Sequence, residues 1–301
     1  MTEARPGSGP APGAVGRWVL GARPRTLAVS VAPVLVGSAA GWVLAGHHLS
    51  WWRAVAALVV ALSIQIGTNY ANDYADGVRG TDEQRVGPLR LVASGLASPA
   101  AVRKAALIAF AVGAVAGVLL AAATTWWLIL VGAACFVAGW GYTGGPRPYG
   151  YLGLGEVFVF VFFGLVATCG SAYVQYEHLA LLPFVAALPV GLLATALLEA
   201  NNLRDIDGDR VAAKLTLAVR LGRARAGWLY MGSVAAAFAG VVGTAVLRPG
   251  ALLALLALPL AIAPFRLVRQ GAEGRALLPV LGATGRLQMA VGLLLAVGLL
   301  L

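Results

Sequence analysis

The stretch Asn69-Tyr70-Ala71-Asn72-Asp73-Tyr74-Ala75-Asp76 organises the chain, because it ends a long apolar run with a cluster of polar side chains. A second stretch, Asn201-Asn202-Leu203-Arg204-Asp205-Ile206-Asp207-Gly208-Asp209, ends another apolar run in the same way. Eight of the twelve acidic residues lie in or close to these two clusters, and basic residues follow each of them at once. Carboxylates with cations behind them predict a site for Mg²⁺ and, through it, a pyrophosphate.

The composition is typical of a membrane protein. Hydrophobic residues make up 60% of the chain, charged residues 11%, and the mean hydropathy is +0.84, outside the range of soluble domains. Apolar runs of about 20 residues, enough to cross a bilayer, occur nine times. The predicted spans are Thr26 to Ala45, Arg53 to Asn72, Ala100 to Ala122, Thr125 to Tyr142, Leu152 to Tyr173, Leu179 to Leu198, Ala226 to Leu247, Ala251 to Leu267 and Leu277 to Leu300. We therefore expect an all-α polytopic membrane protein with about nine transmembrane helices.

The domain organisation is simple. Residues 1–16 are rich in Pro, Gly and Ala and predict a disordered amino-terminal tail. Residues 17–301 are expected to form a single membrane-embedded domain. The first apolar run has spanning length and opens a chain with many spans, which favours a first transmembrane helix over a signal peptide.

The distribution of basic residues predicts the orientation. With the amino terminus in the cytoplasm, 20 of the 22 Lys and Arg residues fall on the cytoplasmic side, and only Arg53 and Arg248 fall on the other. This is the positive-inside pattern, so both acidic clusters are expected to face the cytoplasm from the plasma membrane, the inner membrane of the cell. The net charge of the chain is +10, but its basic residues form no patch interleaved with aromatic residues, which argues against nucleic acid as a partner.

Helical spacing brings the polar residues of each cluster onto shared faces. Thr68, Asn72 and Asp76 follow one another four residues apart, and Asn69 and Asp73 lie on a neighbouring stripe. In the second cluster Asn201, Asp205 and Asp209 share a face, whereas Asp207 points elsewhere and is interpreted as a solvated residue. Polar and ionisable residues at membrane depth cost about 2.5 to 3.5 kcal/mol each and are usually functional.

The two clusters together predict chemistry on a diphosphate. Mg²⁺ takes few protein carboxylates and completes its shell with water and phosphate oxygens, so two sets of carboxylates on two helices can hold two ions around one pyrophosphate. Arg79, Arg85 and Arg90, in or beside the loop after the first cluster, suit a phosphate. No Gly-rich sequence ending in Gly-Lys-Ser/Thr occurs, which argues against nucleotide hydrolysis.

Two further motifs lie near the clusters. In the Gly- and Pro-rich turn after the fourth span, Arg147 is either the ion-pair partner of Glu156 or a substrate-binding residue. The phenylalanines that follow are expected to pack or face lipid, with one or two lining a prenyl channel as the alternative. These are Phe158, Phe160, Phe162 and Phe163.

The sequence motifs of the two clusters resemble those of the UbiA superfamily of intramembrane prenyltransferases. The resemblance is carried by Asn72-Asp73-x-x-Asp76 and Asp205-x-x-x-Asp209, about 130 residues apart on the second and sixth predicted spans, and it covers nearly the whole chain after residue 16. Arg23-Pro24-Arg25-Thr26-Leu27 and Tyr142-Thr143-Gly144-Gly145-Pro146 extend the likeness to the MenA branch, the 1,4-dihydroxy-2-naphthoate polyprenyltransferases of menaquinone synthesis. The family fold is a helical bundle with a cytoplasmic cap over the active site.

The resemblance implies roles for individual residues. The implied ligands of two Mg²⁺ ions are Asn72, Asp76, Asp205 and Asp209. The implied catalytic residues are Asp76, Asp205, Asp209, Arg147 and Lys214. The implied substrate-binding residues are Asn69, Asp73, Arg79, Asp82, Arg85, Arg204 and Arg220. Two positions depart from the family: Gly80 stands where a third aspartate is common, which leaves the roles of Asp73 and Asp82 open, and Ala213 replaces the glycine that many relatives have before the lysine.

The resemblance also implies a reaction. A polyprenyl diphosphate would be joined to 1,4-dihydroxy-2-naphthoate at the lipid bilayer, with loss of CO₂ and pyrophosphate, to give demethylmenaquinone. Tyr70, Tyr74 or Tyr142 could steady the developing cation. One alternative keeps the mechanism with 4-hydroxybenzoate, homogentisate or a haem as the acceptor. Another is a cation-coupled transporter whose carboxylates bind the coupling ion.

Overall fold

The computed structural model describes residues 13–81 and 90–301, and in these ranges the chain forms helices and turns and no strand. The helices are α1 (Ala14–Ala22), α2 (Ala28–Leu44), α3 (Trp51–Arg79), α4 (Pro99–Ala123), α5 (Trp127–Gly141), α6 (Gly155–Tyr176), α7 (Leu181–Val211), α8 (Leu217–Leu221), α9 (Arg223–Leu247), α10 (Pro249–Arg269) and α11 (Gly274–Leu300). Short 3-10 turns lie at Pro24–Thr26 and Tyr149–Leu152, and α10 itself begins as a 3-10 helix.

Seven of these helices are long and apolar enough to cross a membrane, judged by length and composition: α3, α4, α6, α7, α9, α10 and α11. The first and fourth predicted spans correspond to α2 and α5, which have only 17 and 15 residues. The predicted all-α class of membrane-type helices is thus confirmed, but a count of nine spans is not.

The amino-terminal part of the described chain is anchored on the bundle. Residues 1–12 of the expected tail lie outside the described residues, and α1 begins at Ala14, three residues before the expected start of the domain. The Tyr70 hydroxyl of α3 donates to the Trp18 carbonyl at 2.7 Å, and Arg17 donates to the Leu96 carbonyl at 3.1 Å. These contacts hold α1 against α3 and against the turn that precedes α4.

The main apolar core surrounds α7. Val190 and Leu193 of α7 are fully buried together with Tyr230 of α9 and Leu287 of α11. Gly164 of α6 lies directly against α7, where an added Cβ would meet the Gly191 backbone. Small residues at such crossings let membrane helices approach closely.

Helix length places the polar clusters at one end of the bundle. The 29 residues of α3 and the 31 of α7 correspond to about 44 and 46 Å, longer than a hydrocarbon layer of about 30 Å. Each helix therefore carries its polar end beyond its apolar part. α3 ends at Arg79 and is followed by the cap residue Gly80, whose left-handed φ of 75° is common for glycine at a helix end.

Candidate active site

Asp76, near the end of α3, is a buried carboxylate that joins several elements. Its side chain is 1% exposed. Arg90 Nη2 lies 3.8 Å and Lys214 Nζ 3.7 Å from Asp76 Oδ2, and the Tyr151 hydroxyl donates to Oδ1 at 2.9 Å. Two cations and a phenol thus surround one carboxylate, and the two cations are placed where an anionic ligand could also reach them.

Lys214 brings the two acidic clusters together. Its Nζ lies 4.0 Å from Asp209 Oδ1 on α7 as well as close to Asp76 on α3. Ala213, directly before it, has a left-handed φ of 53°. This turn returns the chain from the end of α7 and directs Lys214 between the two carboxylates.

Asp205 is held by its neighbour. Arg204 donates from Nε to Asp205 Oδ1 at 2.7 Å and from Nη2 to Oδ2 at 2.6 Å, and Nη2 also donates to Asn201 Oδ1 at 2.8 Å. This bidentate pair orients the carboxylate. Arg204 is itself 2% exposed, so it acts here on Asp205 and Asn201.

Asn72 and Asp73 hold neighbouring segments. Asn72 Oδ1 accepts from the Thr143 hydroxyl at 2.6 Å. The fully buried Asp73 accepts from the backbone N–H groups of Leu91 at 2.8 Å and Val92 at 3.0 Å. The described contacts of Asp73 therefore position the segment that carries Arg90, which agrees with a supporting role.

Tyr151, in the turn before α6, remains a neutral donor. Burial, and secondarily the charge of Asp76, raise the pKa of Tyr151 to about 12. The hydroxyl is therefore protonated at neutral pH. The Tyr151 ring also lies under Lys214, whose Nζ is 5.3 Å from the ring centroid. Tyr151 thus contacts both the anion and the cation of the site, and its sequence neighbourhood offered no signal for this role.

A cavity leads from this polar end into the bundle between α2, α3, α4, α5, α6 and α7. Asn72, Asp76, Arg90, Asn201 and Lys214 line the polar end. Gln65, Thr68 and Asn69 line the next part, and the deepest lining is mainly apolar and includes Ala57, Leu120 and Val174. Asp76 and Ala57 are more than five turns apart on α3, about 28 Å at 1.5 Å per residue. The cavity therefore combines an anion-binding mouth with a long apolar interior.

A π-helical turn shapes the aromatic wall of the cavity. Phe160–Val166 of α6 forms this turn, and Phe158, Phe162 and Phe163 line the cavity. These side chains also pack as expected, since Phe158 stacks on Tyr149 and Phe162, but three of the four line the cavity where one or two were the alternative. A π turn adds a residue to the helix and re-aims the side chains around it, often at functional sites.

The three tyrosines proposed to stabilise a carbocation differ in whether they line the cavity. Tyr142 lines the cavity beside Tyr149. Tyr70 instead packs edge-on against Trp18, and Tyr74 packs against Trp140. Tyr142 is thus the one of the three with access to a ligand.

Several predicted site residues are not brought to the cavity. Arg79 donates to the carbonyls of Thr143 and Gly145, the latter at 2.6 Å. Arg147 is exposed and does not pair with Glu156, which accepts from Asn202 at 3.0 Å instead. Arg220 is exposed and donates to the Leu215 carbonyl at 3.1 Å. Asp82 and Arg85 lie outside the described residues.

The donors present suit a cation that arrives with its ligand. Among the described residues no group of three His, Cys, Asp or Glu side chains is placed to hold a metal ion by itself. Asp76 and Asp209 nevertheless lie on either side of Lys214, and carboxylate oxygens are the ligands that Mg²⁺ prefers. The residues thus fit an ion whose remaining ligands come from phosphate oxygens and water.

Comparison with known proteins shows the family of the chain. The model of the UbiA prenyltransferase family matches residues 30–277. The chain is 49% identical to the 1,4-dihydroxy-2-naphthoate octaprenyltransferase of Mycobacterium tuberculosis over 94% of this chain and 96% of that protein. It is 36% identical to the Escherichia coli protein of that name, over 94% and 95%. A UbiA homolog from Archaeoglobus fulgidus, bound to GPP and Mg²⁺, superposes with a TM-score of 0.65 at 17% identity, covering 93% of this chain and 99% of that one.

Proposed function

Because the chain belongs to the UbiA prenyltransferase family, we propose that it transfers a polyprenyl chain from its diphosphate to 1,4-dihydroxy-2-naphthoate, with loss of CO₂ and pyrophosphate, as a step in menaquinone synthesis. The observation that carries this proposal is the meeting of Asp76, Arg90 and Lys214 at the mouth of a long apolar cavity. Asp209 does not line the cavity but contacts Lys214 from α7. A diphosphate suits the mouth and an isoprenoid tail suits the interior.

The basic residues of the mouth supply charge stabilisation. Arg90 and Lys214 are both buried, at 6% and 8% exposure, so they act on a bound diphosphate with little screening by water. As the bond between the allylic carbon and oxygen breaks, negative charge grows on the leaving diphosphate. Cations already in place stabilise that charge without reorganisation.

We propose that two Mg²⁺ ions bind at this site and that their protein ligands are Asn72, Asp76, Asp205 and Asp209. The ions would supply Lewis acidity to the leaving diphosphate. Arg204 orients Asp205, and Thr143 orients Asn72. The Archaeoglobus protein that superposes on this chain binds GPP together with Mg²⁺, which supports a metal-dependent reaction here.

The cavity wall protects the electrophile. An allylic cation reacts with any water that reaches it, and an apolar cavity excludes water from the reaction. Tyr142 lines this wall next to the polar end and can place the face of its ring against the developing cation. The acceptor ring is the nucleophile, so no covalent enzyme nucleophile is required.

We further propose that the polar end of the bundle faces the cytoplasm from the plasma membrane, as the positive-inside pattern indicates. The polar groups gather at one end of the cavity, and family membership favours the enzyme over a cation-coupled transporter.

A competition assay tests the proposed reaction. Purified protein in nanodiscs receives 1,4-dihydroxy-2-naphthoate and 4-hydroxybenzoate together, with a long-chain prenyl diphosphate and Mg²⁺, and the products are identified by mass. We expect a decarboxylated prenyl naphthalenediol that disappears on chelation. Prenylated hydroxybenzoate alone would retain the site and reject the acceptor, and no prenyl product at all from folded protein would reject the enzyme.

A further inference from the structure

Arg23 is a cation in the cavity wall that the proposed diphosphate site does not use. It lies between α1 and the Pro24–Thr26 turn and lines the cavity. Its Nη2 atom is buried and has no hydrogen-bond partner in the described part of the chain. Arg90 and Lys214, the other two cations of the wall, both contact Asp76. A buried guanidinium nitrogen without a partner is costly, so a ligand that supplies an acceptor would bind there favourably.

A band of uncharged polar residues surrounds Arg23. Thr26 Oγ1 donates to the Arg23 carbonyl at 3.0 Å and accepts from Gln65 at 3.3 Å and from Asn69 at 3.4 Å. The Asn69 amide also donates to the Ala22 carbonyl at 3.0 Å. These bonds use the amide nitrogens, so the side-chain carbonyl oxygens of Gln65 and Asn69 are the acceptors that the band can offer to ligand hydroxyl groups.

The position of the band along α3 separates it from the diphosphate site. Asn69 precedes Asp76 by about two turns, or roughly 10 Å. Thr68, next to Asn69, lines the cavity, and its buried hydroxyl has no partner among the described residues. The polar groups of this band therefore lie about two helical turns deeper in the cavity than Asp76. A second substrate bound there would meet the carbon attached to the diphosphate.

We propose that Arg23 binds the carboxylate of an aromatic hydroxy-acid acceptor, with Gln65, Thr68 and Asn69 contacting its ring hydroxyl groups. This inference rests on the proposed function, since it names the residues that recognise the second substrate of that reaction. A guanidinium matches a carboxylate with two parallel hydrogen bonds, which fixes the plane of the ring as well as its position.

The backbone at Arg23 is consistent with a positioned side chain. Its φ of 54° and ψ of 69° lie in the left-handed region, which is sterically unfavourable for a residue with a Cβ. Strain of this kind is retained where the surrounding structure requires the residue in one place, and such sites are often functional.

A matched pair of ligands tests the role of Arg23. We would measure the binding of 1-hydroxy-2-naphthoate and of 1-naphthol, which lacks the carboxylate, to the full-length protein in nanodiscs by calorimetry. Arg23→Gln should weaken the carboxylated ligand about 10- to 100-fold and leave 1-naphthol within about twofold. Arg23→Lys should recover part of the lost affinity, because lysine restores the positive charge but not the two parallel hydrogen-bond donors of the guanidinium. Arg269→Gln, an exposed change of the same kind on α10, should alter neither affinity.

Steady-state kinetics separates this inference from the proposed function. We expect Arg23→Gln to raise KM for the acceptor and to leave KM for the prenyl diphosphate unchanged. An equal loss for both ligands would make Arg23 a structural residue, and a higher KM for the prenyl diphosphate alone would make it a phosphate ligand. Either result, or no change, overturns the inference while wild-type turnover sustains the proposed function. Wild-type protein that forms no prenyl product overturns the proposed function instead.

Discussion

At the scale of single residues, Asp76 holds the mouth of the cavity together. It contacts Arg90, Lys214 and Tyr151, which come from three different segments of the chain. Removing its charge takes one carboxylate away from two buried cations and, in the proposed mechanism, removes a ligand of Mg²⁺. One residue thus serves both the packing of the mouth and the proposed chemistry.

Asp76→Asn should therefore lower kcat/KM by at least about 100-fold, the usual cost of removing one electrostatic group from an active site. The rate of prenyl transfer in nanodiscs measures this loss, and thermal unfolding shows whether the variant is folded. Asp207→Asn is the control, because the Asp207 side chain is 75% exposed and pairs with Arg223 away from the cavity. Asp76→Asn protein with full activity would exclude Asp76 as a catalytic residue.

Ala213 carries a backbone strain that glycine would remove. Its φ of 53° costs an alanine about 1 to 2 kcal/mol relative to the right-handed region, and glycine pays little of this cost. Ala213→Gly should raise stability by about 1 kcal/mol, measured as a higher unfolding temperature. Ala212→Gly is the matched control: its φ of −80° suits alanine, so the change should not stabilise. Equal effects at the two positions would contradict the argument.

At the scale of elements, Asp73 connects α3 to the segment that brings Arg90 to the site. Its carboxylate accepts from two successive backbone N–H groups, of Leu91 and Val92. Hydrogen bonds to a charged group contribute about 1.5 to 3 kcal/mol each. This carboxylate thus contributes directly to the position of Leu91 and Val92, and with them of Arg90.

Asp73→Asn should loosen that segment and raise KM for the prenyl diphosphate more than it lowers kcat, because Arg90 is then poorly placed. Hydrogen exchange of the amides of Leu91 and Val92 measures the loosening directly. Glu177→Gln, which alters an ion pair with Arg53 at the other end of the bundle, should leave these amides protected. Unchanged exchange with a raised KM would favour a direct substrate contact by Asp73.

At the scale of the whole molecule, the cavity sets the room for the prenyl tail. Its lining runs from Asp76 to Ala57 along α3, about 28 Å, and includes Gly132 of α5 and Gly170 of α6. A Cβ added at either glycine would meet no atom within 4 Å. A larger side chain there would enter the cavity without disturbing the helix packing.

Gly132→Leu should therefore abolish transfer from a long polyprenyl diphosphate while transfer from geranyl diphosphate stays within about twofold of wild type, since leucine fills apolar space that only the long chain uses. The ratio of the two rates measures the effect. Gly232→Leu on α9 is the control, because that glycine is exposed, has open space around it and does not line the cavity. An equal loss with both substrates would show that the cavity beside Gly132 does not hold the tail.

The sequence by itself determined the class of fold, the two polar helix ends and the residue types of the site. Hydropathy and helical spacing are local properties, so α3 and α7 and the clusters around Asp76 and Asp209 could be predicted from them. The family resemblance was likewise confirmed by relatives that match most of the chain.

The tertiary structure alone decided which charged residues face the cavity. Arg79, Arg147 and Arg220 follow the polar clusters in sequence, yet their side chains bond to loop carbonyls or face outward. Tyr151 reaches Asp76 from a segment 75 residues away, and three phenylalanines in and beside the π turn of α6 line the cavity. These outcomes depend on the directions in which loops return and helices are phased, and packing between distant segments sets both.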